Sequence, residues 1–232
     1  KTLPAGGRRE LNLTAVSSYG KAVVFGEVPL IIGERINPTG KPRLKEALQN
    51  ADYDYICRLA LEQINGGSHI LDVNVGMPGI DEAVVLSKVV PALQGITDTP
   101  LQIDTSNYEA MEQALRLYNG KPMLNSVNGK EESLERVLPL VKKYGAVVVA
   151  LCLDDSGIPL DVAGRVAIAE KIIAKAAEYG IASHNIVVDP LALTISTGGD
   201  NAKVACEVIS AMQARGIKTV MGVSNISFGL PG

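Results

Sequence analysis

Short apolar runs, mostly of Val, Ile and Leu, alternate along this chain with segments of helical periodicity. Each run is bounded by Gly, Pro or Asn, as is typical of a strand buried on both faces. The predicted strands are Leu30–Glu34, His69–Val73, Leu101–Asp104, Pro122–Asn125, Ala146–Leu151, Asn185–Asp189 and Thr219–Val223. The predicted helices lie at 43–65, 81–94, 107–117, 131–144, 161–179 and 201–215. Strict alternation implies a parallel sheet, and seven strands favour an α/β TIM (β/α)8 barrel over an open sheet.

The two ends of the chain depart from this pattern. No eighth strand follows the seventh, and residues 1–28 do not join the alternation. We predict a linker or N-terminal extension over 1–28, in which 15–25 forms a hairpin that caps the barrel floor. Residues 29–232 form the barrel domain, incomplete at its C-terminal side. Because the chain starts at Lys1 and stops just after a strand, we expect a piece of a longer protein.

Composition narrows the class of protein. The net charge of −3 gives no electrostatic attraction to nucleic acid. The apolar runs are far shorter than the roughly 18 residues that a membrane span needs. Three cysteines without CxxC spacing argue against a disulfide framework and fit a reducing compartment. We therefore expect a soluble cytoplasmic protein that binds neither nucleic acid nor membrane.

Polar residues stand where each predicted strand ends. The candidates, in chain order, are Asn37, Asp72, Asn74, Asp104, Asn125, Ser126, Asp154, Asp155, Asp189, Ser224 and Asn225. A single Asp or Asn at such a place is explained by turn formation. In a barrel, however, all these ends share one rim, and that rim holds the active site. A polar residue at every strand end therefore predicts a site there.

The chemistry of the rim limits its ligand. No Lys ends a strand, which argues against a Schiff-base enzyme, and no His cluster predicts zinc. Carboxylates accept hydrogen bonds, whereas amides both donate and accept. Such a rim suits a flat, uncharged heterocycle with several N–H donors, and a pterin has that pattern. A Mg²⁺ site built from the same carboxylates is a rival interpretation.

Six motifs carry a family resemblance that runs in order from about residue 29 to the end. They are IGERINPTGK (32–41), HILDVNVGMP (69–78), LQIDTSN (101–107), LNSVNGK (124–130), VVDPLAL (187–193) and GVSNISFGLP (222–231). These segments resemble the methyltetrahydrofolate-binding domain of cobalamin-dependent methionine synthases. They are also similar to methyltetrahydrofolate:corrinoid methyltransferases. The resemblance implies a barrel of the pterin-binding type.

The resemblance also implies roles for individual residues. Asp104, Asn125 and Asp189 match positions that hydrogen-bond the pterin ring, and Asn225 matches the catalytic asparagine that reaches N5. Further candidates for substrate contact at the rim are Asn37, Asp72, Asn74 and Ser126. No resident metal ion is expected.

The implied reaction transfers the N5 methyl group of 5-methyltetrahydrofolate to Co(I) cobalamin, as part of methionine synthesis from homocysteine. The cobalamin would be carried by another domain or subunit, and a homocysteine-binding domain would belong to the same parent chain. Because the methyl-bearing amine is a poor leaving group, N5 must gain positive character, and an Asn can accept a hydrogen bond from protonated N5. Two alternatives stay open: an enzyme like dihydropteroate synthase, and a folate-binding fragment that catalyses nothing.

Overall fold

The computed structural model describes residues 12–192 and 201–223 of the chain. Its strands are β1 (Ala15–Ser17), β2 (Ala22–Val24), β3 (Ile32–Ile36), β4 (Ile70–Val73), β5 (Leu101–Asp104), β6 (Met123–Asn128), β7 (Val147–Leu151), β8 (Ile186–Asp189) and β9 (Lys218–Thr219). Its helices are α1 (Pro42–Gln49), α2 (Tyr53–Asn65), α3 (Glu82–Ile96), α4 (Tyr108–Leu117), α5 (Glu131–Tyr144), α6 (Val162–Glu178) and α7 (Asn201–Ala214). No helix in these two ranges is long and apolar enough to cross a membrane.

Strands β3 to β9 form one parallel sheet in chain order. Neighbours in sequence are therefore neighbours in space, as successive right-handed β–α–β units require. The sheet curls into a half-barrel with helices on its outer face. The predicted TIM-barrel fold of the pterin-binding type is confirmed in this form, with seven strands in the described sheet.

The two faces of the sheet are buried against different partners. Alternate residues such as Leu71, Ile103 and Val148 pack in one large core with the helices. The intervening residues, including Ile70, Met123 and Val147, face the barrel interior. Because both faces are buried, the strands are mostly apolar away from their carboxyl ends, and the sequence shows continuous rather than alternating runs.

A hairpin closes the floor of the interior. Strands β1 and β2 pair antiparallel, and Val16 and Val23 pack in the same cluster as the interior residues of the barrel. A backbone hydrogen bond from Ser17 to Lys121, just before β6, attaches the hairpin to the sheet. The predicted hairpin over 15–25 is confirmed, and it makes the floor apolar.

The predicted single helix over 43–65 is wrong. Two helices, α1 and α2, occupy this range, and Ala51 between them has a left-handed φ of 54°. The carboxylate of Asp52 accepts a hydrogen bond from the backbone N–H of Tyr55 and so begins a new helix. The apolar periodicity continues across the break, which is why it predicts one helix.

Several strand boundaries also differ from the prediction. Strand β3 lies two residues later than predicted, at Ile32–Ile36, and β6 continues three residues beyond its predicted end, to Asn128. Strand β9 (Lys218–Thr219) overlaps the predicted Thr219–Val223 only at Thr219. The pairing of β9 with β8 joins Val187 to Lys218 and Val188 to Thr219. Strand ends depend on which partner residues lie alongside, and apolar runs do not encode that register.

Replacing Val16, whose side chain is fully buried, should test the hairpin's role as a floor plug. Val16→Ala removes buried methyl groups and leaves a cavity, so it should lower the free energy of unfolding by roughly 1–3 kcal/mol. Val24, on the same hairpin, is 47% exposed, and Val24→Ala should change stability by less than about 0.5 kcal/mol. Equal midpoints for the two variants in urea unfolding would contradict this packing.

Candidate functional site

The carboxyl ends of the strands bring polar side chains into one cavity of about 1110 Å³, which also extends along the open edge of the sheet to residues 25–32 and 216–223. Asp72, Asp104, Asn125 and Asp189 all line it. The parallel register explains the grouping, because Asp104 lies beside Asn125 in adjacent strands. The prediction that strand ends share one polar rim therefore matches where the structure places these four residues.

Asp72 is the most buried carboxyl group of the set. It is 5% exposed, and its Oδ1 accepts a hydrogen bond of 2.5 Å from Nε2 of Gln102. Burial, and next the charge of Asp104, raise the pKa of Asp72 to about 7, against the lowering effect of hydrogen bonds from Gln102 and Asn125. Near neutral pH this group can therefore both hold and release a proton.

Asp104 is oriented by Asn74, which lies in the loop after the neighbouring strand β4. Nδ2 of Asn74 donates to Oδ2 of Asp104 over 2.8 Å, while Oδ1 of Asn74 accepts from the backbone N–H of Gly76. Burial raises the pKa of Asp104, the bond from Asn74 lowers it, and Glu82 raises it again. Asn74 thereby fixes one carboxylate oxygen of Asp104.

The carboxylate of Asp104 does not cap the following helix. Asn107 is the N-cap of α4, and its Oδ1 accepts from the backbone N–H groups of Glu109 and Ala110. The intervening Thr105 donates to Glu82 over 2.6 Å. Asp104 is therefore not needed as the N-cap of the following helix, a role that Asp residues at strand ends commonly have.

Asp189 ends β8 and faces the same cavity. Its Oδ1 accepts a 2.8 Å hydrogen bond from the backbone N–H of Leu191. Burial raises the pKa of Asp189 to about 6, while the bond from Leu191 and the positive charge of Arg165 lower it. Asp189 is therefore ionised above that pH and presents a hydrogen-bond acceptor to the cavity.

The remaining predicted residues lie in different surroundings. Asn37 lines the cavity, and its Oδ1 accepts from the backbone N–H of Thr39. Ser126 lines a separate small pocket of about 130 Å³, which shares Asp104 and Asn125 with the main cavity. Asn74 reaches the site through its bond to Asp104. Asn225, with the neighbouring Ser224, lies outside the described residues.

Two residues of the site are missing from the prediction. Gln102 lines the cavity on β5, two positions before Asp104, and orients Asp72. The signal is its polar side chain inside an otherwise apolar strand. Arg165 is buried among the apolar positions of α6, three and four residues before Ile168 and Ala169. Its signal is a charge on the buried stripe of an amphipathic helix.

The cavity offers carboxylate and amide groups held at fixed positions, with Val149 in its wall. Carboxylates accept hydrogen bonds from N–H groups, and an amide such as that of Asn125 can do both. This arrangement suits a polar heterocycle bound edge-on within the barrel. Within residues 12–192 and 201–223, no group of three or more His, Cys, Asp or Glu residues is arranged to hold a metal ion.

Comparison with known families agrees with this geometry. The model of the family described as pterin binding enzyme matches residues 33–232. The chain belongs to the pterin-binding enzyme family.

Curated relatives lie among methionine synthases. The chain is 32% identical over 243 residues to the methionine synthase of Mycobacterium leprae (strain TN), an alignment that covers 99% of this chain and 20% of that protein. It is 31% identical over 230 residues to the methionine synthase of Mycobacterium tuberculosis (strain ATCC 25618 / H37Rv), covering 93% of this chain and 19% of that protein. The chain thus spans about a fifth of the length of these relatives.

Solved structures support the fold alone. The dihydropteroate synthase of Xanthomonas albilineans superposes with a TM-score of 0.70 at 19% identity, over 91% of this chain and 77% of that one. The 7,8-dihydropteroate synthase of Vibrio fischeri ES114 superposes with a TM-score of 0.64 at 18% identity, over 90% of this chain and 77% of that one.

Neutralising Asp72 should stabilise the chain at alkaline pH. The pKa of about 7 in the folded chain exceeds the value of about 3.9 in an unfolded chain, so the folded state binds more protons between them and stability falls as pH rises through that window. Asp72→Asn should therefore raise the melting temperature at pH 8 by roughly 2–4 °C, equivalent to about 1 kcal/mol. The gain should shrink as the pH is lowered toward about 4.

Asp54, exposed on α2, provides the matched control. Asp54 lies in the first turn of α2, where the helix dipole favours a carboxylate, so Asp54→Asn should lower the melting temperature slightly and by a similar amount at pH 5 and pH 8. If Asp72→Asn lowers the melting temperature equally at pH 5 and pH 8, burial does not disfavour the charged form of the Asp72 carboxyl group.

Proposed function

We propose that this chain binds 5-methyltetrahydrofolate in the rim cavity and transfers its N5 methyl group to cobalamin, as one step in methionine synthesis. The observation that carries the proposal is the group of partly buried carboxylate and amide side chains formed by Asp104, Asn125 and Asp189, which line one cavity. The methionine synthase relatives, at 31–32% identity, support this reaction over others of the family.

Recognition of the pterin follows from hydrogen-bond chemistry. The 2-amino-pyrimidinone edge presents N–H donors and a carbonyl oxygen. Asp104 and Asp189 accept from the donors, and the amide of Asn125 supplies a donor for an acceptor atom. Because each carboxyl group is already held by one internal hydrogen bond, little side-chain freedom is lost on binding.

Methyl transfer also needs a group that stabilises positive charge on N5. Cobalt in its Co(I) state supplies the nucleophile, carried by a cobalamin-binding domain or subunit. We assign the N5 contact to Asn225, which lies outside the described residues, from its motif alone. A hydrogen bond to protonated N5 is stronger in the transition state than in the ground state, so it accelerates the reaction.

The parent protein then has further parts. We propose that residues 29–232 are the folate-binding barrel and that 1–28, with its floor hairpin, links it to a homocysteine-binding domain. A cobalamin-binding domain would face the rim. The alternatives are a pterin enzyme like dihydropteroate synthase, and a fragment that binds folate without catalysis. Condensation of a pterin with 4-aminobenzoate would support the first, and folate binding without methyl transfer to added Co(I) cobalamin the second.

Asp104→Asn and Asp189→Asn should weaken binding of methyltetrahydrofolate. Each loses a charge-assisted hydrogen bond worth about 1.5–3 kcal/mol, equivalent to roughly 10- to 150-fold in dissociation constant. Isothermal titration at pH 7.5 measures the effect, with Asp54→Asn as the exposed control. Unchanged dissociation constants for both variants would overturn the assignment of the site.

Asn225→Ala should separate rate from binding. Ground-state N5 is largely unprotonated near neutral pH, so folate affinity should change little. Loss of a preorganised polar group at the reacting atom should lower the rate of methyl transfer on the order of 10²–10³-fold. Single-turnover transfer to Co(I) cobalamin and equilibrium folate binding are measured on the same variant. Equal losses in both would show that Asn225 only shapes its loop.

A further inference from the structure

Arg165 is a fully buried guanidinium near the candidate site. It lies near the start of α6 and is 0% exposed. Its Nε donates to the carbonyl oxygen of Pro159 over 2.8 Å, and its Nη1 donates to the carbonyls of Pro190 and Leu191 over 2.8 and 3.0 Å. Its Nη2 is also buried and finds no hydrogen-bond acceptor among the described residues.

Apolar packing alone does not explain such a residue. Taking a cation out of water is unfavourable, and a buried nitrogen without an acceptor adds to that cost. The neighbouring buried positions of α6, among them Ile168 and Ile172, are aliphatic. An aliphatic side chain at 165 would fill the same space but would leave the carbonyl oxygens of Pro159, Pro190 and Leu191 without this donor, so the guanidinium acts on the segments that it binds.

The carbonyl groups that Arg165 binds belong to the segment that follows Asp189. Leu191, in that segment, has a φ of 59°, in the left-handed region that residues with a Cβ rarely adopt. Its N–H is the donor to Oδ1 of Asp189. Because Arg165 holds the carbonyls of both Pro190 and Leu191, it stabilises the turn whose N–H orients the Asp189 carboxylate.

The charge of Arg165 also acts on Asp189 directly. It opposes the effect of burial and lowers the pKa of Asp189. The other titratable groups facing this pair are Cys152, which follows β7, and Asp161, the N-cap of α6. Burial, and next the charge of Asp189, raise the pKa of Cys152 to about 12, so its thiol is neutral. Arg165 is thus the cationic group acting on Asp189.

We propose that Arg165 is a positioning residue for pterin recognition, which acts through Asp189 by fixing the turn after β8 whose backbone N–H orients the Asp189 carboxylate. This inference rests on the proposed function, since it treats Asp189 as a ligand-binding group.

The test measures the dissociation constant of methyltetrahydrofolate against pH on the 232-residue chain. Arg165→Gln removes the charge and the planar pair of donors, so affinity at pH 7.5 should fall by about tenfold. The midpoint at which affinity is lost on acidification should rise by at least about half a pH unit. Arg165→Lys keeps the charge without the fork of donors, so it should restore the midpoint and only part of the affinity.

Asp72 and Asp104 line the same cavity, and their protonation can also weaken binding on acidification. A double-mutant cycle separates that effect from the coupling between Arg165 and Asp189. In an Asp189→Asn background, Arg165→Gln should no longer move the midpoint, because the group on which it acts is gone. Arg215, exposed and paired with Glu170, gives the matched control, and Arg215→Gln should leave both affinity and midpoint unchanged. Melting temperatures are recorded for every variant.

Several results would overturn the proposal. One is an unchanged affinity and midpoint in Arg165→Gln, and another is a loss of affinity equal at every pH, which indicates a merely structural role. If Arg165→Gln does not fold, wild-type affinity in Arg165→Lys overturns it. If the wild-type chain binds no folate, the proposed function fails. The coupling between Arg165 and Asp189 can then still be tested by carbon-13 NMR titration of the Asp189 carboxyl group. A pKa of Asp189 that is unchanged by Arg165→Gln would exclude this coupling.

Discussion

The curl of the parallel sheet is the constraint on which the rest of the structure depends. All strands from β3 to β9 run in one direction, so their carboxyl ends meet on a single rim. Residues separated by more than 100 positions, such as Asp72 and Asp189, thereby line one cavity. The same curl encloses an interior whose floor is apolar, because the β1–β2 hairpin packs there. The polar side chains of the cavity consequently lie at the rim, away from the apolar floor.

Burial of the carboxyl groups is the energetic consequence. The pKa values of Asp72, Asp104 and Asp189 are all raised, chiefly by loss of hydration. Each group retains a compensating donor: Gln102 for Asp72, Asn74 for Asp104, and the Leu191 N–H for Asp189. These donors keep the acceptors in place before a ligand arrives. The site is preorganised at the expense of stability, as is common where function requires buried charge.

The helices contribute to the site as well as covering the sheet. Asn107 caps α4 and leaves Asp104 free, while Arg165 at the start of α6 holds the turn beyond β8. The loop and helix after one strand thus control a side chain on the same or the next strand. The positions of the side chains that line the cavity therefore depend on residues that do not line it themselves.

The sequence by itself determined the class of fold and indicated part of the rim, since Asp72, Asp104, Asn125 and Asp189 line one cavity. Continuous apolar runs reflect strands buried on both faces, and the polar residues that end them are visible because they interrupt those runs. The break at Ala51, the extent of β3 and β9, and the partners of Gln102 and Arg165 were decided by tertiary structure. Helix breaks depend on local capping that periodicity does not record, and strand ends depend on the register of a neighbour. Which nitrogen meets which oxygen depends on residues far apart in the chain, such as Asn74 with Asp104 and Arg165 with Leu191, since only the packed barrel brings them within hydrogen-bond distance.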